Sequence, residues 1–320
     1  MKKHIWSICF SAVLIAFTVY IALDTFVIRR VYDDNAVEMN TSLFTEAPKT
    51  ALTADGTGNV NATDQPYETE TPGTVISEPE IDENSYHDGK ISIEITEYEK
   101  YGTAIYVADV TVSSAEYFRT AFANDKYGRN ITAVTSEIAR SNDAIIAVNG
   151  DFYGSQQKGF VIRNGVVYRS SARGDDVLCV YADGTMKIVN DRDKTAEELV
   201  DEGVWQAFTF GPSLIEDGSI TVGEKDEVDI AMASNPRTAL GMIDANHFLF
   251  VVSDGRTSES EGLSLYELAT FMKDLGASVA YNLDGGGSST MYFNGSVINN
   301  PTSGGKIKER KVSDIVYIGA

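Results

Sequence analysis

The pattern of hydrophobic and polar residues divides the chain into three parts. Residues 5–28 are almost wholly apolar, with Asp24 as the only charged residue, and about 20 such residues match the hydrocarbon core of a membrane. Residues 31–85 are acidic and rich in Thr, Pro, Asn and Glu, without hydrophobic periodicity. We therefore predict a cytoplasmic tip and transmembrane signal anchor at residues 1–30, a disordered acidic spacer at 31–85 and a folded domain at 86–320.

The residues beside the apolar run predict its orientation. Lys2 and Lys3 precede it, so the positive-inside tendency places the N-terminus in the cytoplasm and the domain outside the membrane. A cleaved signal peptide is the alternative, but the run is long for one and no small-residue cleavage site follows it. Cys9 and Cys179 are not expected to pair, so we predict a bacterial surface protein without a disulfide framework.

Within the domain, the pattern predicts many strands joined by hairpins. Isoleucines alternate with polar residues at 91–95, and residues 104–112 form a second strand. Residues 131–140 are typical of a helix, and residues 144–148 of a short buried strand. Four turn signals stand between alternating apolar runs, at Asn164-Gly165, Asp183-Gly184, Asp217-Gly218 and Asn294-Gly295.

One βαβ unit places two acidic residues together. Residues 247–253 predict a strand that ends at Asp254, Ser264 opens a capping box and helix, and residues 277–283 predict a strand that ends at Asp284. If the strands are parallel, both carboxylates lie at one edge of the sheet, where open α/β sheets bind ligands. We therefore predict a mixed α/β (α+β) fold: a mixed twisted sheet with several β-hairpins and at least one βαβ unit.

The most distinctive local feature follows Asp284. The residues Gly285, Gly286 and Gly287 come next, and then Ser288, Ser289 and Thr290. Consecutive glycines allow close approach of a ligand and expose N–H groups that bind an anion. We therefore expect an oxygen-rich ligand here, either phosphorylated or sugar-like, beside the carboxylate.

The overall charge limits the possible partners. With 47 acidic against 26 basic residues, the formal net charge is -21, which argues against nucleic acid as a partner. An anionic substrate would therefore need a local basic pocket. Arg310 lies among Lys306, Lys308 and Lys311, which form either a phosphate contact or a solvated patch. No cofactor is expected to be required, although Asp and Asn oxygens at strand ends suit a structural Ca²⁺ or Mg²⁺ ion.

Five motifs occur in an order that closely resembles the phosphodiester glycosidase family, over about residues 95–320. They are AVNGDFY at 147–153, NPRTALG at 235–241, VSDGR at 252–256, LDGGGSST at 283–290 and ERKV at 309–312. The resemblance implies hydrolysis of the bond between an anomeric sugar carbon and a phosphodiester, here in a surface glycan or exopolysaccharide. A phosphate leaving group needs cationic or N–H stabilisation, and the sugar needs a carboxylate.

On this resemblance the candidate catalytic residues are Asp284, Asp254, Asp151 and Arg237. The candidate substrate-binding residues are Asn149, Thr238, Arg256, Gly285, Gly286, Gly287, Ser288, Ser289 and Arg310. The sequence leaves open which carboxylate is nucleophile or base. It also leaves an alternative function, a non-catalytic glycan-binding or exopolysaccharide-assembly protein with the same fold.

Overall fold

The computed structural model describes residues 2–32, 37–44, 78–226 and 234–319. The helices are α1 (Lys2–Phe26), α2 (Thr135–Ser141), α3 (Ala196–Asp201) and α4 (Leu265–Asp274). The strands are β1 (Arg30–Val31), β2 (Glu80–Ile81), β3 (Ser85–His87), β4 (Ile91–Lys100), β5 (Thr103–Val112), β6 (Phe118–Phe122), β7 (Gly128–Arg129), β8 (Ala133–Val134), β9 (Ile146–Asn149), β10 (Val161–Arg163), β11 (Val166–Arg169), β12 (Asp176–Tyr181), β13 (Met186–Asn190), β14 (Val204–Phe208), β15 (Ser213–Glu216), β16 (Ser219–Ile220), β17 (Arg237–Asp244), β18 (His247–Ser253), β19 (Val279–Asn282), β20 (Met291–Phe293), β21 (Ser296–Val297), β22 (Thr302–Ser303), β23 (Lys306–Ile307), β24 (Lys311–Val312) and β25 (Asp314–Ile318).

Three sheets enclose one core. The largest has nine strands in the order β16-β15-β19-β17-β18-β5-β4-β3-β2, and two five-stranded sheets have the orders β11-β10-β14-β12-β13 and β21-β20-β9-β25-β6. Buried side chains from all three meet in a central cluster that includes Phe250, Leu178 and Val148. Helix α4 covers the outer face of the nine-stranded sheet. Helix α3 covers the sheet that contains β12, and helix α2 covers the sheet that contains β9.

The local elements largely follow the sequence pattern. Each of the four predicted turns joins an antiparallel hairpin. Asn164 and Gly165 have φ of 50° and 75°, the left-handed values that a tight hairpin turn requires. The helix predicted at 131–140 begins later, at Thr135, because Ala133–Val134 instead pairs with Lys311–Val312.

The predicted βαβ unit is present, but its two strands are not neighbours. Both β18 and β19 pair antiparallel with β17, which lies between them, so they run in the same direction. Each pair of hydrogen-bonded strands in the described residues is antiparallel, so the mixed sheet of the prediction is not observed there. The predicted meeting of Asp254 and Asp284 at one edge of the sheet is confirmed, since Arg237 pairs with Ser253 and Leu283 N donates to Thr238 O at 2.8 Å.

Parts of the predicted spacer pack against the domain. The short strands β2 and β3 extend the nine-stranded sheet, so the sheet begins before the boundary predicted at residue 86. Met39 is buried in the core cluster under α3, and the Phe44 ring packs edge-on against Trp205 at 4.9 Å. These apolar side chains anchor residues 37–44, whereas residues 45–77 of the spacer lie outside the described residues.

Among the residues that the structure describes, we find no helix of the length and apolar character needed to span a membrane. The predicted transmembrane anchor is therefore not confirmed. Cys9 and Cys179 are both free, as expected from the sequence.

Candidate active site

The triple-glycine loop, Gly285–Gly287, lies at the carboxyl end of β19 and requires glycine. A Cβ on Gly285 would lie 2.7 Å from Pro236 O, and one on Gly286 would lie 2.7 Å from Arg256 Nη2. Gly286 also has φ of +62° and donates its N–H to Pro236 O at 2.7 Å. The loop is therefore packed directly on the start of β17, with an arginine on its other side.

Asp284 is held by two side chains that follow it in the sequence. Its Oδ2 accepts hydrogen bonds from Ser288 Oγ at 2.6 Å and Arg310 Nη2 at 2.7 Å, and Arg310 Nε donates to Ser288 Oγ at 2.8 Å. Burial raises the pKa of Asp284, while Arg310 opposes the shift. Only 8% of Asp284 is exposed, so the carboxylate is largely desolvated beside its guanidinium partner.

Asn149 joins the two sheets at this point. It is fully buried at the end of β9, its Nδ2 donates to Asp284 O at 2.7 Å, and its Oδ1 accepts from Thr238 Oγ1 at 2.8 Å. The strand β9, which ends at Asn149, belongs to a different sheet from β18 and β19. Their ends still converge, because the sheets face each other across the core.

Two guanidinium groups contact the triple-glycine loop. Arg256 lies against Gly286, and its Nε and Nη2 donate to Asn235 Oδ1 at 3.1 and 2.9 Å. Arg310 Nη2 donates to Gly285 O at 3.2 Å, and the backbone N–H of Arg310 donates to Gly287 O at 3.2 Å. The loop therefore combines two cations with a tight backbone turn, which is the arrangement that binds phosphate oxygens.

Asp254 connects to the same loop through Asn299. Its Oδ1 accepts from Asn299 Nδ2 at 3.0 Å, and the same Nδ2 donates to Ser289 O at 3.1 Å. Both oxygens of Asp254 also bind Asn300, through its backbone N–H and its Nδ2. The backbones at residues 254 and 284 flank β17, so two strand spacings separate them by roughly 10 Å, within reach of one pocket.

A cavity of about 440 Å³ opens beside Asp254. It has an acidic wall that includes Glu97, Glu99 and Glu259, together with Tyr106. Burial, reinforced by the Asp254 charge, raises the pKa of Tyr106 to about 12, so this phenol stays protonated as a donor. A larger cavity of about 560 Å³, between Arg173 and Lys225, includes none of the predicted site residues, whereas the smaller cavity includes Asp254.

The family model for phosphodiester glycosidases matches residues 142–319, more than half of the chain. This chain belongs to the phosphodiester glycosidase family. The match begins before β9 and extends through β25, and thus covers every element that surrounds the triple-glycine loop.

The region that matches this chain is a limited part of each curated relative. The human N-acetylglucosamine-1-phosphodiester alpha-N-acetylglucosaminidase is 27% identical over 194 residues, 53% of this chain and 36% of that protein. An SPbeta prophage-derived protein of Bacillus subtilis, YomE, is 27% identical over 198 residues, 60% of this chain and 30% of that protein. The chain thus spans about a third of the length of the curated relatives it matches.

Solved structures share the fold. The zebrafish N-acetylglucosamine-1-phosphodiester alpha-N-acetylglucosaminidase catalytic domain, which is auto-inhibited by its pro-peptide, has a TM-score of 0.57 at 21% identity, covering 78% of this chain and 89% of that chain. A hypothetical protein from Synechocystis has a TM-score of 0.54 at 15% identity, covering 72% and 62%. At these identities the likeness concerns the fold alone.

Two of the predicted catalytic residues, Asp151 and Arg237, are almost fully buried. Asp151 is 1% exposed, and its carboxylate accepts from Arg163 Nη2 at 2.8 Å and Thr209 N at 2.9 Å. Arg237 is 3% exposed, and its Nε donates to Leu263 O at 2.9 Å. Both side chains are therefore held by contacts within the protein, and their catalytic roles stay predictions.

A buried charged cluster near the triple-glycine loop was not predicted from the sequence. Arg163 lies between Asp151 and Asp314, and its Nε donates to Asp314 Oδ2 at 2.9 Å. Asp314 Oδ1 has no hydrogen-bond partner among the described residues. It lies 2.1 Å from the position that a Cβ on Gly150 would occupy. The sequence carried one signal of this cluster, because Asp314 lies within the largely apolar segment 312–318. An unpaired charge in a buried strand is costly, so such a residue indicates a buried partner of opposite charge.

This cluster predicts a specific pH dependence of stability. Burial raises the pKa of Asp314 to about 7; Arg163 opposes the shift, whereas Asp151 and Asp284 add to it. From about pH 4 to 7, therefore, the folded state holds a proton that the unfolded chain has released, and the free energy of unfolding falls as pH rises through this range.

Asp314→Asn is expected to flatten that profile. Urea unfolding at intervals from pH 4.5 to 7.5 should give a less negative slope of the unfolding free energy against pH for Asp314→Asn than for the wild type. Equal slopes in the two proteins would show that Asp314 is ionised throughout this range.

Among the described residues, no group of three or more His, Cys, Asp or Glu side chains is arranged to hold a metal ion. The structural Ca²⁺ or Mg²⁺ ion considered from the sequence stays a prediction.

Proposed function

We propose that this protein hydrolyses a sugar-1-phosphodiester and releases the sugar and a phosphomonoester. One observation carries the proposal: the Asp284 carboxylate and the Arg310 guanidinium lie side by side on the triple-glycine loop. Cleavage between an anomeric carbon and a phosphate needs negative charge beside the sugar and positive charge beside the phosphate. This pair of side chains supplies both at one place.

The phosphate would bind on the loop side of the site. The phosphomonoester leaves as a weakly basic anion, so stabilising its developing charge matters more than protonating it. Arg310 is partly exposed, and its Nη1 has no hydrogen-bond partner among the described residues, so it can donate to a phosphate oxygen. Arg256, on the other side of Gly286, provides a second guanidinium.

The sugar would bind toward the acidic cavity. Glu97, Glu99, Glu259 and Asp254 repel an anion there, whereas sugar hydroxyls can donate to carboxylates. The Asp284 carboxylate, held by hydrogen bonds from Arg310 and Ser288, can attack or stabilise an oxocarbenium-like anomeric carbon. Asp254 is the second carboxylate, and roles of nucleophile and base are open between the two.

Turnover of defined substrates tests this function. Residues 78–320 and the full chain should both be incubated with a panel of sugar-1-phosphodiesters that vary in sugar, anomer and alcohol, with phosphomonoester release as the readout. Release from at least one substrate is expected. Binding of such compounds without release across the panel would instead favour the glycan-binding or assembly function.

We also propose that the domain acts outside the cytoplasm on a surface glycan or exopolysaccharide, with the N-terminal run holding it at the membrane. The apolar residues 5–28 and the preceding Lys2 and Lys3 support this location. Protease added to intact cells is expected to remove the domain, as detected with a C-terminal epitope tag. Protection in intact cells and cleavage only after lysis would contradict it.

A further inference from the structure

A short basic strip borders the candidate site of an otherwise acidic chain. We define the basic strip as Lys306, Lys308 and Arg310, three cations at alternate positions after the turn at Gly304-Gly305. Both lysines are exposed, and Arg310 is half-buried against Asp284. Because the chain carries a formal net charge of -21, a concentration of uncompensated positive charge here calls for an explanation.

The hairpin formed by β22 and β23 shows which way Lys306 faces. Lys306 pairs with Ser303, and cross-strand partners lie on the same face of a hairpin. Ser303 Oγ lies 3.1 Å from the position of a Cβ on Gly287, so that face is turned to the triple-glycine loop. Ile307 pairs with Thr302 on the opposite face and lines the acidic cavity.

The neighbouring acid does not neutralise the strip. Glu309 Oε1 accepts from Ser136 N at 2.9 Å and its Oε2 accepts from Ser136 Oγ at 2.6 Å, so its carboxylate is directed to the start of α2. Within the described residues, neither Lys306 nor Lys308 forms an ion pair. Their charge is therefore available to a ligand that also contacts Arg310.

We propose that Lys306 and Lys308 bind a second anionic group on the leaving-group side of the substrate, so that the natural substrate is a chain with repeated phosphodiesters. This inference rests on the proposed function, in which Arg310 holds the phosphate being cleaved. Lys306 lies in β23 and Lys308 follows it at a bend, so their Cα atoms are at most about 7 Å apart. Phosphates joined by short linkers can therefore reach both side chains. A substrate with one phosphate would leave both lysines unused.

The test compares two synthetic substrates with the same sugar. One carries an uncharged methyl group on its phosphate, and the other continues into two further glycerol phosphate units. The Lys306→Gln/Lys308→Gln double variant is expected to raise KM for the longer substrate about tenfold, since each exposed charge pair is worth up to about fivefold. Its kcat/KM for the methyl substrate should stay within about twofold of the wild type.

Lys311→Gln is the matched control. Lys311 is exposed and adjacent in sequence, but it lies in β24, paired with Val134. This variant should leave KM for the longer substrate near the wild-type value. An equal rise in Lys311→Gln, or an equal change with both substrates in the double variant, would overturn the proposal and indicate an effect of overall charge.

A binding measurement separates failure of this inference from failure of the proposed function. Fluorescence anisotropy of a labelled glycerol phosphate trimer, with wild-type protein and the two variants, needs no turnover. A dissociation constant about tenfold higher in the double variant alone, with a weaker dependence on salt, supports the second anion site even if no substrate is cleaved. An unchanged dissociation constant overturns it, whether or not the methyl substrate is hydrolysed.

Discussion

Replacing Asp284 by Asn is expected to lower kcat/KM for a sugar-1-phosphodiester by at least about 10³-fold. The substitution keeps the size of the side chain but removes the negative charge that would face the anomeric carbon. It also leaves Arg310 without its carboxylate partner, so the guanidinium is free to hold phosphate. Ground-state affinity for the substrate should therefore persist, and the loss should appear mainly in kcat.

Asp274→Asn provides the matched control for this substitution. Asp274 is exposed at the end of α4, where it pairs with Lys100 at 2.8 Å, and it lies outside the candidate site. Its substitution should leave kcat/KM within about twofold and change stability by less than about 1 kcal/mol. If the Asp284→Asn variant folds normally and retains the wild-type kcat, Asp284 takes no part in the chemistry.

Replacing Arg163 by Met is expected to destabilise the protein by about 3–5 kcal/mol. Arg163 is fully buried and is bound by two carboxylates, and it also donates to the carbonyls of Ile162 and Ala207. Its removal leaves Asp151 and Asp314 buried without a counter-charge. Urea unfolding at pH 7.5 should measure the loss, and Asp314→Asn added to the same chain should recover part of it.

Arg173→Met is the control for that experiment. Arg173 pairs with Asp175 near the surface, with 44% of its side chain exposed. Solvent screens such a pair, so the substitution should cost less than about 1 kcal/mol. A comparable loss of unfolding free energy in both variants would show that the buried cluster has no special role in stability.

Local signals in the sequence were sufficient for the hairpins and for the βαβ unit. The Asn-Gly and Asp-Gly pairs need left-handed backbone, which few other residues adopt easily, so they mark turns wherever apolar alternation flanks them. Ser264 and Glu267 form a complete capping box and fix the start of α4. From these elements, the shared edge that carries Asp254 and Asp284 could be predicted correctly.

Long-range pairing could not be predicted in the same way. Nothing near β9 indicates that its partners are β20 and β25 rather than strands of the nine-stranded sheet. For the same reason, the contacts of Arg163 with Asp151 and Asp314 were not predicted from the sequence. The contacts of Met39 and Phe44 were also missed, because two isolated apolar residues in an acidic segment give no periodicity.

Hydrolysis in ¹⁸O-labelled water identifies the bond that the protein cleaves. A phosphodiester glycosidase breaks the bond between the anomeric carbon and oxygen, so water adds to the sugar. We therefore expect mass spectrometry to find ¹⁸O on the anomeric hydroxyl and none in the phosphomonoester. Label in the phosphomonoester would mean that water attacks phosphorus, and would contradict the assignment of Asp284 to the sugar side and Arg310 to the leaving group.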